Sequence, residues 1–78
     1  MGTCGTVKLV YMGYLAEAAG GREREVEVCG EARISEIARL PREELEDMVI
    51  LVNGRTARPE TQVRPGDKVT ILPHISGG

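Results

Sequence analysis

The most reactive group that the sequence offers is the terminal carboxylate of Gly78, which follows Gly77. Because glycine has no Cβ, an extended tail that ends in two glycines could enter a tunnel too narrow for any side chain. An α-carboxylate is anionic at neutral pH, and it resists nucleophiles until it is converted into a better acyl donor. Adenylation by an ATP-dependent partner would make that conversion, so Gly77 and Gly78 are the candidate reactive residues.

His74 is the single histidine of the chain and stands at the base of this tail. No serine or cysteine lies at a spacing that would complete a catalytic triad with it. We therefore interpret His74 as a spacer and expect no catalytic site within the chain itself.

Cys4 and Cys29 are the only cysteines. Two are too few for the disulfide framework of a small secreted domain. They form no CxxC motif, so a structural zinc site would lack ligands. We expect two free thiols, with Cys29 a half-buried hydrophobic residue, no bound metal and a cytoplasmic location; the role of Cys4 stays open.

Length and charge exclude several classes of function. A chain of 78 residues buries only about 60% of its unfolded surface, so a deep active-site cavity is not expected. Ten basic against twelve acidic residues give a net charge of −2, and the chain has no Phe, no Trp and two Tyr. Nucleic-acid binding normally needs a basic stripe and stacking aromatics, so that class is excluded.

No segment indicates a membrane. Residues 1–6 lack the basic and apolar regions of a secretory signal. The longest wholly apolar run, residues 48–52, is far too short to cross a bilayer. We expect a soluble protein that neither crosses a membrane nor is targeted to one.

The elements that must position the tail follow from hydrophobic periodicity. Period-two alternation predicts strands over residues 7–12, 25–29 and 68–72, and a β-branched run predicts another over 49–52. Asn53-Gly54 predicts a type I′ hairpin turn and a short strand over 55–58, and Val63 to Asp67 reads as a further turn. Helical turns are predicted over 15–19, from Ile34 to Leu40 and over 42–48, with Pro41 ending the second.

This order of elements predicts an α+β chain of the β-grasp type, as in ubiquitin. It would be a mixed sheet of four to five strands covered by one main short helix, with an extended C-terminal Gly-Gly tail. We expect a single domain over 1–78, with residues 1–5 disordered and 73–78 a flexible reactive tail.

The alternation also places a set of residues on the outer face of the sheet: Val10, Met12, Thr70 and Leu72. If the first and last strands are neighbours, these residues form an exposed apolar patch, which is typical of a partner site. The alternative is a minor second core under the tail or a loop, because periodicity alone cannot separate the two.

The chain resembles the MoaD and ThiS family of ubiquitin-related sulfur-carrier proteins over nearly all of residues 7–78. The residues that carry the resemblance are Val7-Lys8-Leu9, Leu15-Ala16-Glu17-Ala18-Ala19-Gly20, Val52-Asn53-Gly54, Pro65-Gly66-Asp67-Lys68-Val69 and Leu72-Pro73-His74-Ile75-Ser76-Gly77-Gly78. The insert over residues 15–20 is most similar to MoaD, the small subunit of molybdopterin synthase. His74 stands where MoaD tails commonly have a second proline.

The resemblance implies a cycle of sulfur transfer. An E1-like enzyme of the MoeB or ThiF type adenylates Gly78 with Mg-ATP, and a persulfide then yields a thiocarboxylate. In the MoaD version, the tail enters the MoaE-type large subunit of molybdopterin synthase and donates sulfur to the molybdopterin precursor. ATP and Mg are used by the partner, and no cofactor is expected to stay bound. The predicted partner-binding residues are Val10, Met12, Thr70, Leu72, Pro73, His74, Ile75 and Ser76.

Other functions stay open for the same tail. A ubiquitin-like modifier would pass the adenylated Gly78 to a substrate lysine. A sulfur carrier could instead serve thiamine synthesis or tRNA thiolation. A plain binding module would not use the tail at all.

Overall fold

A computed structural model of the chain describes residues 3–74. The strands are β1 (Cys4–Tyr11), β2 (Glu23–Cys29), β3 (Ala32–Arg33), β4 (Val49–Val52), β5 (Arg55–Ala57), β6 (Gln62–Val63) and β7 (Lys68–Leu72), and the helices are α1 (Leu15–Ala19), α2 (Ile34–Ile37) and α3 (Arg42–Glu46). Across residues 3–74, no helix is long and apolar enough to cross a membrane.

Five strands form one mixed sheet in the order β2-β1-β7-β4-β5. The central pair, β1 and β7, is parallel, whereas β1 with β2, β4 with β7 and β4 with β5 are antiparallel. The chain thus has the β-grasp arrangement predicted from the sequence. The first and last strands are neighbours, as the proposed outer patch requires.

The inner face of the sheet carries the core, as the alternation predicted. Val7, Leu9 and Tyr11 of β1 and Val69 and Ile71 of β7 are fully buried. The Tyr11 hydroxyl accepts the Arg39 N–H at 3.2 Å, which satisfies its polar end. The other core residues are Leu15, Ala19, Val28, Ile34, Leu40, Leu45, Ile50 and Val63.

Three helices of four or five residues, rather than one main helix, supply the helical layer. The predicted helix from Ile34 to Leu40 already ends at Ile37, because Ala38 has extended backbone angles (φ −74°, ψ 148°). Pro41 disfavours helical angles at the residue before it, and Leu40 is buried in the core without being helical. The position of Leu40 is therefore set by its burial in the core and not by a continuous helix.

The Asn53-Gly54 turn is confirmed, with φ of 53° at Asn53 and 87° at Gly54. Both positive values are those that a type I′ turn needs. Gly66 at φ 98° confirms the predicted turn before β7. The small second sheet of β3 and β6 was not predicted, because two-residue strands show no detectable period.

The prediction of two free thiols is wrong, since Cys4 and Cys29 form a disulfide. The register of β1 and β2 places these residues directly opposite each other, which a count of cysteines cannot reveal. Both residues are exposed, so Cys29 is not half-buried.

The predicted disorder of residues 1–5 is wrong for Cys4 and Gly5, which belong to β1 and pair with β2. The Gly66 N–H also donates to the Thr6 carbonyl at 2.8 Å and supports this end of the strand. Residues 1 and 2 lie outside the described part of the chain.

Candidate docking face and tail

The tail leaves the sheet at the end of β7, beside the end of the parallel strand β1. Leu72 is the last residue of β7; Pro73 is half-buried and His74 is exposed. Ile75, Ser76, Gly77 and Gly78, which the sequence predicts to bind partners or react, lie outside the described residues. Their roles stay predictions.

The strand register determines which residues are neighbours on the outer face of the sheet. Val10 lies opposite Thr70 across the β1–β7 pair, and Leu72 lies opposite Val49 across the β4–β7 pair. The Met12 N–H donates to the Ile71 carbonyl at 3.0 Å, which fixes Met12 alongside the end of β7. The structure thus brings together the four outer residues that the sequence grouped.

Val10 differs from the prediction in its exposure, because only 8% of it is accessible. Its register partners are Glu23 and Thr70, and Lys8 stands two positions away on the same face. The Lys8 ammonium and the Glu23 carboxylate are 3.5 Å apart. Val10 is therefore buried on the outer face and offers a partner little surface.

The exposed apolar residues gather at the tail end of the sheet. Among residues 3–74, the large hydrophobic residues that are exposed are Met12 (41%), Tyr14 (70%) and Val49 (36%). Val49 pairs with Leu72, and Leu51 extends the same face opposite Thr70. We use "apolar patch" for Met12, Val49, Leu51, Thr70 and Leu72.

Two of these exposed residues, Val49 and Tyr14, were missed at the sequence level. Val49 opens a continuous apolar run, in which no alternation separates inner from outer positions. Tyr14 lies in the loop between β1 and α1, where no period applies. The only available signal was a large aromatic residue next to Gly13.

The loop that carries Tyr14 lies against the base of the tail. A Cβ placed on Gly13 would be 3.5 Å from the Pro73 Cγ, an ordinary contact distance. Gly13 has φ of +60°, a conformation that glycine adopts without steric cost. The loop therefore borders the tail on the β1 side.

Carboxylates border the tail on the other side. Glu46 and Asp47, at the end of α3, line a cavity of about 310 Å³ together with Met48 and His74. Within residues 3–74, no group of three or more His, Cys, Asp or Glu is placed to hold a metal ion.

A β-grasp sheet with an apolar outer patch, in a chain whose sequence ends in Gly-Gly, defines the class of ubiquitin-like sulfur carriers and modifiers. The family model that matches is the ThiS family, over residues 9–78. The chain belongs to the ThiS family, and the resemblance to MoaD and ThiS proteins is confirmed at this level. No curated protein is similar enough to the chain to count as a match.

Solved structures share the fold at low sequence identity. SAMP1 from Haloferax volcanii is 24% identical, with a TM-score of 0.72 over 95% of this chain and 100% of that one. A crystal structure of H. volcanii small archaeal modifier protein 1 is 20% identical, with a TM-score of 0.70 over 91% and 99%. A candidate molybdopterin converting factor subunit 1 from Pyrococcus furiosus is 24% identical, with a TM-score of 0.68 over 91% and 99%.

Proposed function

We propose that the protein is a sulfur carrier that bears a thiocarboxylate on Gly78 and donates its sulfur in molybdopterin biosynthesis. The observation that carries this proposal is the position of the base of the tail, Pro73 and His74, at the end of β7 in a ThiS-family chain. The Met12 N–H donates to the Ile71 carbonyl and holds the end of β1 beside β7, so the apolar patch and Pro73, the first residue of the tail, lie at the same end of the sheet. One partner can hold the patch and act on the tail.

The first step is activation of the tail by an E1-like adenylating enzyme of the MoeB or ThiF type. A Gly78 carboxylate oxygen attacks the α-phosphorus of Mg-ATP, and pyrophosphate leaves. The product is an acyl adenylate, whose carbonyl carbon is a far better electrophile than a carboxylate. ATP and Mg belong to the partner, and the carrier keeps no cofactor.

The second step places sulfur on the tail. The terminal sulfur of a donor persulfide attacks the Gly78 carbonyl carbon, and AMP leaves. A thiol then attacks the other sulfur of the resulting acyl disulfide, so that the S–S bond breaks, the thiol is oxidised to a disulfide and the thiocarboxylate is released. This is group transfer by an activated acyl donor, with the reactive side chains on the partners.

Delivery uses the same end of the sheet. The tail enters the large subunit of molybdopterin synthase, a MoaE-type protein, while the apolar patch packs on its surface. Residues 15–20 support this acceptor, because their sequence is similar to that of MoaD proteins. The segment folds as α1, and Gly20 is the C-cap of this helix. We place this activity in the cytoplasm.

The second candidate is a ubiquitin-like modifier that is joined to substrate lysines through Gly78. The fold similarity to H. volcanii small archaeal modifier protein 1 favours it. Activation is identical, but a lysine amine replaces the persulfide, and AMP leaves as an amide forms. A carrier for thiamine synthesis or tRNA thiolation shares both steps with the leading proposal and differs in the acceptor.

The experiment that tests the proposal is intact-mass measurement after incubation with an E1-like enzyme, Mg-ATP and a sulfur donor. The expected gain equals the replacement of one oxygen by sulfur, and a chain that lacks Gly78 should show none. The loaded carrier is then mixed with a MoaE-type subunit and the pterin precursor, and dithiolene formation is measured. If a competent enzyme fails to load sulfur on the chain, the proposed carrier role is wrong. If the chain loads sulfur but no dithiolene forms, only the proposed acceptor is wrong.

A further inference from the structure

The disulfide lies at a defined position in the β1–β2 ladder. The Gly30 N–H donates to the Thr3 carbonyl at 3.0 Å. Gly30 directly follows Cys29, and Thr3 directly precedes Cys4. This pattern makes Cys4 and Cys29 a non-hydrogen-bonded pair, the type of pair in which opposite side chains approach most closely. The bond joins β2, an edge strand of the sheet, to its neighbour β1.

Several weak connections converge on this same end of the molecule. The Gly66 N–H donates to Thr6 at 2.8 Å, and the Arg64 guanidinium contacts the Glu31 carboxylate at 3.0 Å. Arg64 and Glu31 are both exposed, so their ion pair contributes little by itself. The disulfide is therefore the strong connection among the contacts that hold β1, β2 and the turn before β7 together here.

This end of the sheet is opposite to the tail. β1 runs parallel to β7, so the seven steps from Cys4 to Tyr11, at about 3.3 Å each, separate the disulfide from the tail end by about 23 Å. The apolar patch lies at the far end. A change at the disulfide can therefore alter one end of the fold and leave the docking end in place.

The disulfide is also accessible to solvent. Cys4 and Cys29 are both exposed, and an open cavity of about 540 Å³ lies next to them, lined by Thr3, Gly30, Glu31, Arg64 and Pro65. Exposed disulfides are the ones that exchange with external thiols most readily, in contrast to buried structural ones. A small reductant can reach this bond without unfolding the core.

We propose that Cys4 and Cys29 form a reversible thiol–disulfide site that locks the end of the sheet opposite to the tail and sets the thermal stability of the protein. Its co-reactant is a dithiol. One thiolate attacks a cystine sulfur, breaks the S–S bond and forms a mixed disulfide. The second thiol displaces the remaining cysteine, so two electrons pass to the protein, which gains two thiols, and the dithiol becomes a disulfide. This inference does not depend on the proposed function.

The experiment compares the full chain after treatment with oxidised glutathione and after treatment with dithiothreitol. Because the bond joins cysteines 25 positions apart, we expect reduction to lower Tm by on the order of 10 to 25 °C. Oxidation should restore it. The same lower Tm is expected for Cys4→Ser, Cys29→Ser and the double variant, and none of them should respond to dithiothreitol. The losses of Tm in the two single variants should not add up in the double variant.

Amide hydrogen exchange locates the effect. Reduction should increase exchange at Gly30 and Gly66, whereas the Met12 amide at the tail end should keep its protection.

Three outcomes would overturn the proposal. The first is two alkylatable thiols, or a bond between two chains, in the protein treated with oxidised glutathione. The second is a Tm that does not change on reduction. The third is a disulfide that resists dithiothreitol while the protein stays folded, which would make it a permanent crosslink rather than a reversible site.

Discussion

The side chain of Asn53 bonds both to the side chain of Asp67 and to the main chain beside it. Asn53 Nδ2 donates to Asp67 Oδ1 at 3.0 Å, and Asn53 Oδ1 accepts the Lys68 N–H at 3.0 Å. The β4–β5 hairpin is thereby attached to the turn that starts β7. A residue that the sequence identified only as a turn former also positions the strand that leads to the tail.

The contribution of the Asn53 hydrogen bonds to stability can be measured separately from that of its backbone conformation. Glycine tolerates the φ of 53° but has no amide, so Asn53→Gly should lower the free energy of unfolding by about 1 to 3 kcal/mol through the lost bonds. Asn53→Ala should lose about 1 to 2 kcal/mol more, since a Cβ disfavours this conformation. Urea denaturation measures both, and equal stabilities of the two variants would contradict the conformational part.

Charges within the apolar patch should prevent docking. Met12 is exposed and Leu72 is half-buried on the outer face, so Met12→Glu with Leu72→Glu should leave the fold intact. Binding to an E1-like enzyme and to a MoaE-type subunit should be lost, because each carboxylate would be buried against an apolar surface. Calorimetric titration measures both affinities.

The control for this pair is Gln62→Glu, which adds a charge at an exposed position of β6, outside the main sheet. It should bind both partners as the wild type does. Unchanged affinities in the Met12 and Leu72 variant would remove the apolar patch from the proposed function.

Periodicity and turn chemistry were sufficient for the main sheet, because β1 and β7 each have one fully buried face and the turns before β5 and β7 each have a residue with positive φ. Asn53 and Gly66 are examples. Periodicity and turn chemistry were insufficient for properties that depend on residues distant in the sequence. The Cys4–Cys29 bond depends on the β1–β2 register, and the burial of Val10 depends on which residues β2 and β7 place beside it. Neither property is present in the local sequence.

Val10 and Met12 lie on the same face but should have different roles. Val10 is buried, so Val10→Ala should lower the free energy of unfolding by about 1 to 3 kcal/mol and leave partner affinity nearly unchanged. Met12→Ala should do the reverse, because its exposed side chain contributes little to the core. Thermal unfolding and binding titration on both variants test the pair. A large loss of affinity in a folded Val10→Ala protein would contradict this division.

The Gly-Gly sequence should be needed for loading rather than for docking. Gly77→Ala adds one Cβ to the segment that must enter the partner's tunnel, and a displacement of the reacting carboxylate by about 1 Å can cost on the order of 100-fold in rate. We expect that loss in thiocarboxylate formation, followed by intact mass, with affinity for the E1-like enzyme retained. Gln62→Ala, at an exposed position of β6 outside the main sheet, should load normally, and equal rates for the two variants would argue against a narrow tunnel.

Tyr14 should contribute to binding at the margin of the apolar patch. It is 70% exposed and follows Gly13, which lies against Pro73 at the base of the tail. Tyrosine is enriched among residues that dominate binding energy, so Tyr14→Ala should weaken binding of the E1-like enzyme by about tenfold. The free energy of unfolding should stay within about 0.5 kcal/mol, since the side chain is exposed. Tyr14→Phe keeps the ring, so full affinity in that variant would assign the contact to the ring, and full affinity in Tyr14→Ala would exclude the β1–α1 loop from the interface.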